Sequence, residues 1–330
     1  MTENLHRHTV IDVHMHVHPA KLGDLLEIME ANNLSRVVNL GILEARDVPF
    51  DEGMKAFRSA LGQRMVYFPT PDFRDNTPGF GTRMADELER KVRAGASGLK
   101  IFKELGLRRR DSEGDLIPVD DPRLDPLWSR AGDLGVPVLI HTADPAAFFL
   151  PLNPENERWE ELQRHPDWHF GGPEYPRFEE LLAQLNRVIE RHPRTRFIGA
   201  HLGNCAEDLA YVDGCLDRFP NYFVETSARI AEFGRHPAGE TRAFFIKHQD
   251  RIMFGSDLVL GWSSSDEGRN AGNYKAFYDV HWCFFETGEA QIDHPSPLQG
   301  RWKVDAIDLP DSVLDKLYVR NAQRLVLGLQ

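Results

Sequence analysis

Two histidines lie one residue apart at the end of the first apolar run of the chain, in I-D-V-H-M-H. Because side chains alternate across a strand, His14 and His16 point to one side and Met15 to the other. Two imidazoles on one face can bind a single cation together. By itself the motif leaves two interpretations open, a metal site and an ordinary pair of surface or core histidines.

Four other apolar runs carry residues that can bind a metal or move a proton. V-L-I-H ends in His141, F-I-G-A-H in His201 and M-F-G-S-D in Asp257, and G-L-K-I-F-K contains Lys100 and Lys103. Polar groups placed directly after apolar strands are costly to bury unless they are paired or ligated. Imidazole and carboxylate ligands suit zinc or a similar divalent ion, so these residues predict one metal site.

These residues can meet only if their strands end at the same rim. Short apolar runs alternate with stretches of helical periodicity, which is typical of α/β proteins with a parallel sheet. Eight such units predict a (β/α)8 TIM barrel, whose strand ends gather at one mouth. An open doubly wound sheet would normally have a glycine-rich turn where this chain has histidines. The predicted strands are 9–13, 37–40, 65–68, 98–102, 136–140, 196–199, 222–225 and 251–254.

The chain of 330 residues is expected to form a single barrel domain over residues 1–330, because such barrels often exceed ~250 residues. Two connections, at about 142–177 and 258–304, are much longer than the others. Both leave from strand ends at the predicted mouth, and we interpret them as lid-like insertions. Four of their tryptophans could line a pocket or pack against the barrel; they are Trp159, Trp168, Trp262 and Trp282.

The formal net charge of −12 makes nucleic acid and anionic membranes poor partners and favours a small-molecule substrate. The three cysteines are widely spaced, which indicates neither a disulfide framework nor a zinc ribbon. The first residues lack an apolar core of signal-peptide length, and no run is long enough to span a membrane, so a cytoplasmic setting is expected. Whether the chain forms a homo-oligomer stays open.

Together the motifs resemble the amidohydrolase superfamily, in its amidohydrolase-related branch (amidohydrolase family 2). The resemblance runs from I-D-V-H-M-H-V-H-P, through His141, His201 and G-S-D, to the closing R-N-A-Q-R-L-V-L-G-L. It implies a (β/α)8 barrel with one or two divalent metals. By position, His14, His16, His141 and Asp257 resemble the ligands of a mononuclear site. His201 resembles a second-metal ligand or a catalytic acid/base.

Lys100 determines how many metals the resemblance implies. In binuclear members a lysine of the fourth strand is carboxylated and bridges two metals, and G-L-K-I-F is similar to that strand. Lys100 and Lys103 have opposite parity, so only one should face the barrel axis, and Lys100 lies where the apolar run is densest. An unmodified lysine that pairs with Asp257 or binds a substrate carboxylate is the equal alternative. Zinc is the expected metal, and the ligand types also suit manganese or iron.

Asp257 is expected to bind the metal and to accept a proton from water, whose pKa a divalent ion can lower to ~7. That water could attack an amide, ester or lactone while Asp257 passes the proton to the leaving group. Arg229, in E-T-S-A-R after the seventh strand, is a candidate for binding a substrate carboxylate. We therefore expect a metal-dependent hydrolase acting on a small substrate.

Three alternatives remain. The same family branch includes non-oxidative decarboxylases of small aromatic or unsaturated acids, for which His201 and Asp257 would also serve. A metal-free aldolase would use Lys100 as a Schiff-base amine, but it would leave the strand-end histidines without a role. A non-catalytic binding protein is disfavoured by the complete set of ligands. The remaining histidines, including His281, are expected in surface or loop positions.

Overall fold

The computed structural model describes residues 8–143, 145–261 and 271–329. Within them, every pair of neighbouring strands is parallel, as the alternation of strands and helices predicts. The strands are β1 (Val10–Val17), β2 (Leu34–Leu40), β3 (Met65–Phe68), β4 (Leu99–Ile101), β5 (Val138–Ile140), β6 (Phe197–Gly199), β7 (Tyr222–Glu225), β8 (Ile252–Met253) and β9 (Leu258–Leu260). They form two sheets, in the orders β3-β2-β1-β9 and β4-β5-β6-β7-β8.

Backbone hydrogen bonds join the two sheets at both of their meeting edges. Beside β3 and β4, the amide of Lys100 donates to the carbonyl of Pro69 over 2.8 Å. Beside β1 and β8, the amide of Val13 donates to Phe254 over 3.0 Å, and the amide of Asp257 donates to His14 over 2.8 Å. The sheets are therefore two arcs of the predicted (β/α)8 barrel.

Helices and short helical turns follow the strands, and the longer helices pack on the outside of the sheets. They are α1 (Leu22–Ala31), α2 (Ile42–Ala45), α3 (Phe50–Leu61), α4 (Phe80–Arg93), α5 (Asp125–Asp133), α6 (Trp159–Arg164), α7 (Phe178–Arg191), α8 (Ala200–Gly203), α9 (Leu209–Arg218), α10 (Ile230–Phe233), α11 (Ala238–Lys247), α12 (Ala271–Glu286), α13 (Asp311–Asp315) and α14 (Asn321–Leu325). In the described part of the chain, none of them has both the length and the apolar surface needed to cross a bilayer.

Two apolar clusters lie on opposite faces of the strands. One includes Ile11 and Val13 together with side chains from β2, β6 and β8, and the other includes Met15 and Val17 together with the helices. The pairing of β1 with β2 shifts register between Asp12 and Met15. Such an irregularity turns the strand, so the side chains that follow it change face.

The two long connections contain regular structure. Residues 142–177 include α6, and β9 and α12 lie within 258–304. Tyr278, His281 and Trp282 on α12 pack around Phe254 and are at most 4% exposed. The surface or loop position expected for His281 is therefore wrong, because the apolar face of a helix carries it into the core. Trp282 also packs against the barrel, through Phe254. Trp262 lies outside the described residues.

Candidate metal centre

Three of the predicted ligands meet directly at the ends of β1 and β8. The Nε2 atoms of His14 and His16 each lie 3.4 Å from Oδ1 of Asp257. Both imidazoles are buried, whereas about a quarter of the Asp257 side chain (27%) is exposed. The open side of this cluster therefore lies at Asp257.

The partners of the two imidazoles determine which ring nitrogens carry protons. Nδ1 of His16 lies 2.7 Å from the carbonyl oxygen of Leu40, and Nδ1 of His14 lies 2.9 Å from Oε1 of Glu225. A carbonyl or carboxylate oxygen only accepts, so each Nδ1 donates. Each neutral ring then presents its Nε2 lone pair toward Asp257. This orientation of histidine by a distal acceptor is typical of metal ligands.

His201 and His141 lie next to this cluster. The ring of His201 stacks on His14 at a centroid distance of 5.1 Å, and its Nε2 lies 3.3 Å from Nδ1 of His141. Nδ1 of His201 lies 3.0 Å from the carbonyl of Ser227 and therefore donates to it. Nε2 of His201 then accepts from Nδ1 of His141, which leaves Nε2 of His141 with a lone pair.

Glu225 is a functional residue that the sequence analysis missed. Besides His14, its Oε1 accepts hydrogen bonds from the amide of His201 and the hydroxyl of Ser227, each over 2.9 Å. Its Oε2 accepts the amide of Ser227 over 2.7 Å. Burial raises the pKa of Glu225. Its position at the end of β7, like those of the predicted ligands, was a signal that could have identified it.

Asp12 is a second buried carboxylate without a predicted role. Its Oδ1 accepts the amides of His14 and Ser256, each over 3.1 Å, and its Oδ2 accepts the hydroxyl of Tyr278 over 2.8 Å. Burial raises the pKa of Asp12 to about 7. Because these bonds connect β1, the segment after β8 and α12, Asp12 positions the backbone that carries His14 relative to Asp257.

The two lysines of β4 and its end have different surroundings. The buried Lys100 places Nζ 3.3 Å from Nε2 of His14 and 5.3 Å from the ring centre of Phe102. Lys103 places Nζ 4.6 Å from the ring centre of Phe148, on the long connection after β5. Lys100 is thus the lysine beside the histidines, and Lys103 contacts the aromatic wall of the mouth.

Burial and the neighbouring charges shift the pKa values of His14 and Asp257. Burial lowers the pKa of His14 well below its usual value, and the neighbouring ammonium of Lys100 lowers it further. Burial would raise the pKa of Asp257, but the imidazoles of His14, His201 and His16 outweigh it and hold that pKa well below its usual range. Asp257 is therefore a carboxylate at neutral pH.

The backbone is left-handed after each strand from β5 to β8. Positive φ angles occur at Ala143 (55°), His201 (55°), Ala228 (55°) and Asp257 (61°). The turn after β6 continues this conformation through residue 204, so the segment labelled α8 is not a right-handed helix. Residues other than glycine rarely adopt this region, and such strain concentrates at functional sites.

A cavity of about 970 Å³ opens above the cluster. Asp257, His141 and His201 lie at one end of it, together with Arg229, whose Nη1 donates to the carbonyl of Ala228 over 2.9 Å. Aromatic walls come from Phe102, Phe148 and Trp168. Of the four tryptophans named in the sequence analysis, Trp168 is the one found among the described residues that line the cavity. The cavity suits a small substrate with apolar and anionic parts.

Comparison with protein families gives a match to the amidohydrolase family over residues 11–327. No curated protein matches the chain. Among solved structures, the chain resembles a 2,6-dihydroxybenzoate decarboxylase in complex with 2,6-dihydroxybenzoate (17% identity, TM-score 0.56, covering 97% of this chain and 100% of that one).

Two further solved structures have the same overall arrangement. One is a protein from Pseudomonas putida assigned as a 2-pyrone-4,6-dicarboxylic acid hydrolase (15% identity, TM-score 0.54, covering 97% and 98% of the two chains). The other is a dihydroxybenzoic acid decarboxylase from Polaromonas sp. JS666 with bound manganese and 2-nitroresorcinol (15%, TM-score 0.56, 97% and 97%). At these identities the likeness shows the fold. With the family match over nearly its full length, the chain belongs to the amidohydrolase family.

Proposed function

We propose that this protein is a metal-dependent hydrolase, which uses metal-activated water to cleave an amide, ester or lactone bond in a small, carboxylate-bearing substrate. The observation that carries the proposal is the convergence of Nε2 of His14, Nε2 of His16 and Oδ1 of Asp257. Imidazole nitrogen and carboxylate oxygen are the donor set of catalytic zinc and manganese sites.

The arrangement fits a cation on electrostatic grounds. Since Nδ1 of each histidine donates elsewhere, the Nε2 lone pairs of His14 and His16 each face Oδ1 of Asp257 at 3.4 Å. The ammonium of Lys100, 3.3 Å from Nε2 of His14, offsets part of the repulsion among these lone pairs, and a divalent ion would offset more of it. His14, His16 and Asp257 would hold a divalent ion, with His141, His201 and Lys100 close by. When bound, such an ion supplies Lewis-acid chemistry, which lowers the pKa of water and polarises a carbonyl group.

The side chains of the chain itself manage the protons. Asp257, ionised and partly exposed to the cavity, accepts a proton from the attacking water and passes it to the leaving group. His201 and His141 form a hydrogen-bonded pair at the cavity wall and hold a second exchangeable proton near the reacting atoms. Glu225 fixes the orientation of His14 and does not reach the substrate.

Arg229 binds the substrate carboxylate in this proposal. It lies in the same cavity as Asp257 and His201, and guanidinium groups bind carboxylates with two parallel hydrogen bonds. Lys100 decides whether one or two ions are bound. A carboxylated Lys100 would add the mass of one CO2 to the intact protein under native conditions, and that addition would vanish after denaturation in acid.

Non-oxidative decarboxylation of a small aromatic or unsaturated acid is the second candidate. The aromatic walls of Phe102, Phe148 and Trp168 favour it, because they suit a planar substrate ring. Two of the similar structures are decarboxylases of dihydroxybenzoic acids. One of His201 and Asp257 would then donate a proton to the ring carbon that bears the carboxylate, instead of activating water. The bond from this carbon to the carboxylate breaks, CO2 leaves, and the electron pair of the bond returns to the ring.

The product distinguishes the two reactions. The metal-loaded protein is incubated with a panel of amides, esters, lactones and aromatic acids, and the new carboxylic acid, separated by chromatography, and CO2 release are recorded together. A new carboxylic acid without CO2 supports hydrolysis, whereas CO2 release from an aromatic acid selects decarboxylation. Neither product from any member of the panel, with metal bound, would contradict both.

The proposal includes the cellular location and the binding partners of the protein. We propose a cytoplasmic enzyme that acts on a small molecule and binds neither nucleic acid nor membranes, in line with its net charge of −12. Homo-oligomer formation is a separate question, which sedimentation of the purified protein answers.

A further inference from the structure

A second cavity, of about 660 Å³, lies on the face of the barrel opposite the metal centre. Arg36 lies near the start of β2, Arg196 precedes β6, and Arg58 is on α3. All three line the cavity, and the part of its lining that the described residues form contains no carboxylate side chain. Strands of a barrel start on the face away from the active-site mouth, so a ligand bound here would not reach Asp257.

Within the described residues, the arginines of this face are not neutralised by ion pairs. Six arginines of this region have no carboxylate within ion-pair distance among the described residues. Five of them donate hydrogen bonds to main-chain carbonyls, and two of these five also lie over an aromatic ring. The sixth makes no polar contact with the described residues. They are Arg36, Arg58, Arg64, Arg196, Arg251 and Arg324.

Two of the nearby carboxylates are engaged by other cations. Asp250 pairs with Lys316 over 2.8 Å, and Asp217 pairs with Lys247 over 2.8 Å. Arg58 donates to the carbonyl of Ala94, and a carbonyl bond leaves the net charge of a guanidinium unchanged. In a chain of net charge −12, this face is therefore a local concentration of positive charge.

Arg36 is the most informative of these residues. It is half-buried at the cavity, and within the described chain its guanidinium makes no hydrogen bond or ion pair. A guanidinium has five N–H donors in a fork that matches carboxylate, sulfonate and phosphate groups. The other walls include Met54, Phe57 and Val326, which offer apolar surface.

We propose that this cavity binds a small organic anion, one with an apolar body and one or more carboxylate, sulfonate or phosphate groups, through Arg36, Arg58 and Arg196. Its volume lies within the usual range for ligand pockets, about 300 to 1,000 Å³. The apolar walls contact the body of the ligand, and the guanidinium groups bind its charges. This site is independent of the proposed reaction at the mouth.

Isothermal titration of the metal-loaded, full-length protein with naphthalene-1,5-disulfonate tests the proposal, because this probe has the expected chemistry and does not chelate metals. We expect saturable binding that Arg36→Gln weakens about tenfold, equivalent to about 1.4 kcal/mol. Arg36→Lys should keep most of the affinity because it keeps the charge. The melting temperature of Arg36→Gln without ligand should match that of the unsubstituted protein, because no intramolecular bond is lost.

Two controls locate the binding. Arg218→Gln makes the same change in net charge at an exposed residue paired with Glu190, and it should leave the affinity unchanged. Arg229→Gln alters the cavity at the mouth and should also leave it unchanged. The proposal is overturned if the probe does not bind, if Arg36→Gln binds as tightly as the unsubstituted protein, or if Arg229→Gln alone abolishes binding.

Discussion

Nδ1 of His14 lies 2.9 Å from Oε1 of Glu225, and both side chains are buried, although 211 positions separate them in the chain. This bond holds the imidazole in the tautomer that turns its Nε2 toward Asp257. The orientation of a candidate metal ligand thus depends on a carboxylate two strands away in the barrel order.

Glu225→Gln tests this dependence. The neutral amide can present its NH2 group to Nδ1 and stabilise the wrong tautomer, so we expect metal affinity to fall about 10- to 100-fold with the fold retained. Competition with a chromophoric chelator measures the affinity, and circular dichroism monitors the fold. Glu190→Gln, at an exposed glutamate, is the matched control. Unchanged affinity in Glu225→Gln would remove Glu225 from the site.

Removal of the metal should abolish activity reversibly. Dialysis against a chelator is expected to leave a folded, inactive protein, and zinc or manganese should restore the activity. Elemental analysis of protein purified without chelator measures the bound metal. Less than ~0.5 equivalent per chain, with no recovery on adding either ion, would contradict the metal-dependent mechanism.

Asp257→Asn removes the proposed general base and one metal ligand while keeping the size of the side chain. We expect kcat to fall about 10²- to 10⁴-fold, the usual contribution of a positioned base. Steady-state kinetics with excess metal separate the loss of the base from the loss of metal. Activity within a few-fold of the unsubstituted protein under saturating metal would rule out Asp257 as the base.

Arg229→Gln should change KM more than kcat. Loss of a charged hydrogen-bonding partner of the substrate carboxylate costs about 1.5–3 kcal/mol, or roughly 10- to 100-fold in KM. Substrates whose carboxylate is replaced by a neutral amide should be turned over equally by both proteins. An equal loss of activity toward charged and neutral substrates would show that Arg229 does not recognise the carboxylate.

The buried His281 makes stability depend on pH. Burial lowers its pKa to about 4, whereas in the unfolded chain it titrates near 6.5. The unfolded state binds the extra proton between these values, so the contribution of His281 to stability is complete above pH 6.5 and is lost as the pH falls toward 4. The size of this effect is about 3 kcal/mol. Urea unfolding between pH 4 and 7 should show a shallower decline for His281→Gln, and parallel curves for both proteins would refute this assignment.

Much of the fold follows from simple rules of sequence. Apolar runs separated by helical periodicity predict the order of strands and helices, and β3 and β7 have the predicted bounds. Barrel geometry alone requires residues after β1 and β8 to share a rim, and the structure brings His14, His16 and Asp257 together. These features depend on local pattern and on a topological rule that holds for every such barrel.

The hydrogen bonds that support the metal-binding residues could not be predicted from the sequence pattern. Glu225 and Asp12 act through backbone amides and ring nitrogens supplied by other strands, and local pattern does not identify such partners. The register shift between Asp12 and Met15 depends on how β1 packs beside β2. The apolar face that buries His281 belongs to a helix within a stretch that the sequence analysis treated as a loop.

The left-handed residues at the ends of β5 to β8 affect how the protein fails on heating. Each holds its backbone in a conformation that costs of order 1–3 kcal/mol, and one such residue or more follows each of these four strands at a single rim. We expect that rim to relax first on heating, because relaxation releases this strain energy while the apolar layers below can remain intact. Catalysis should therefore stop several degrees below the temperature at which the helices melt, and cooling from this range should restore it.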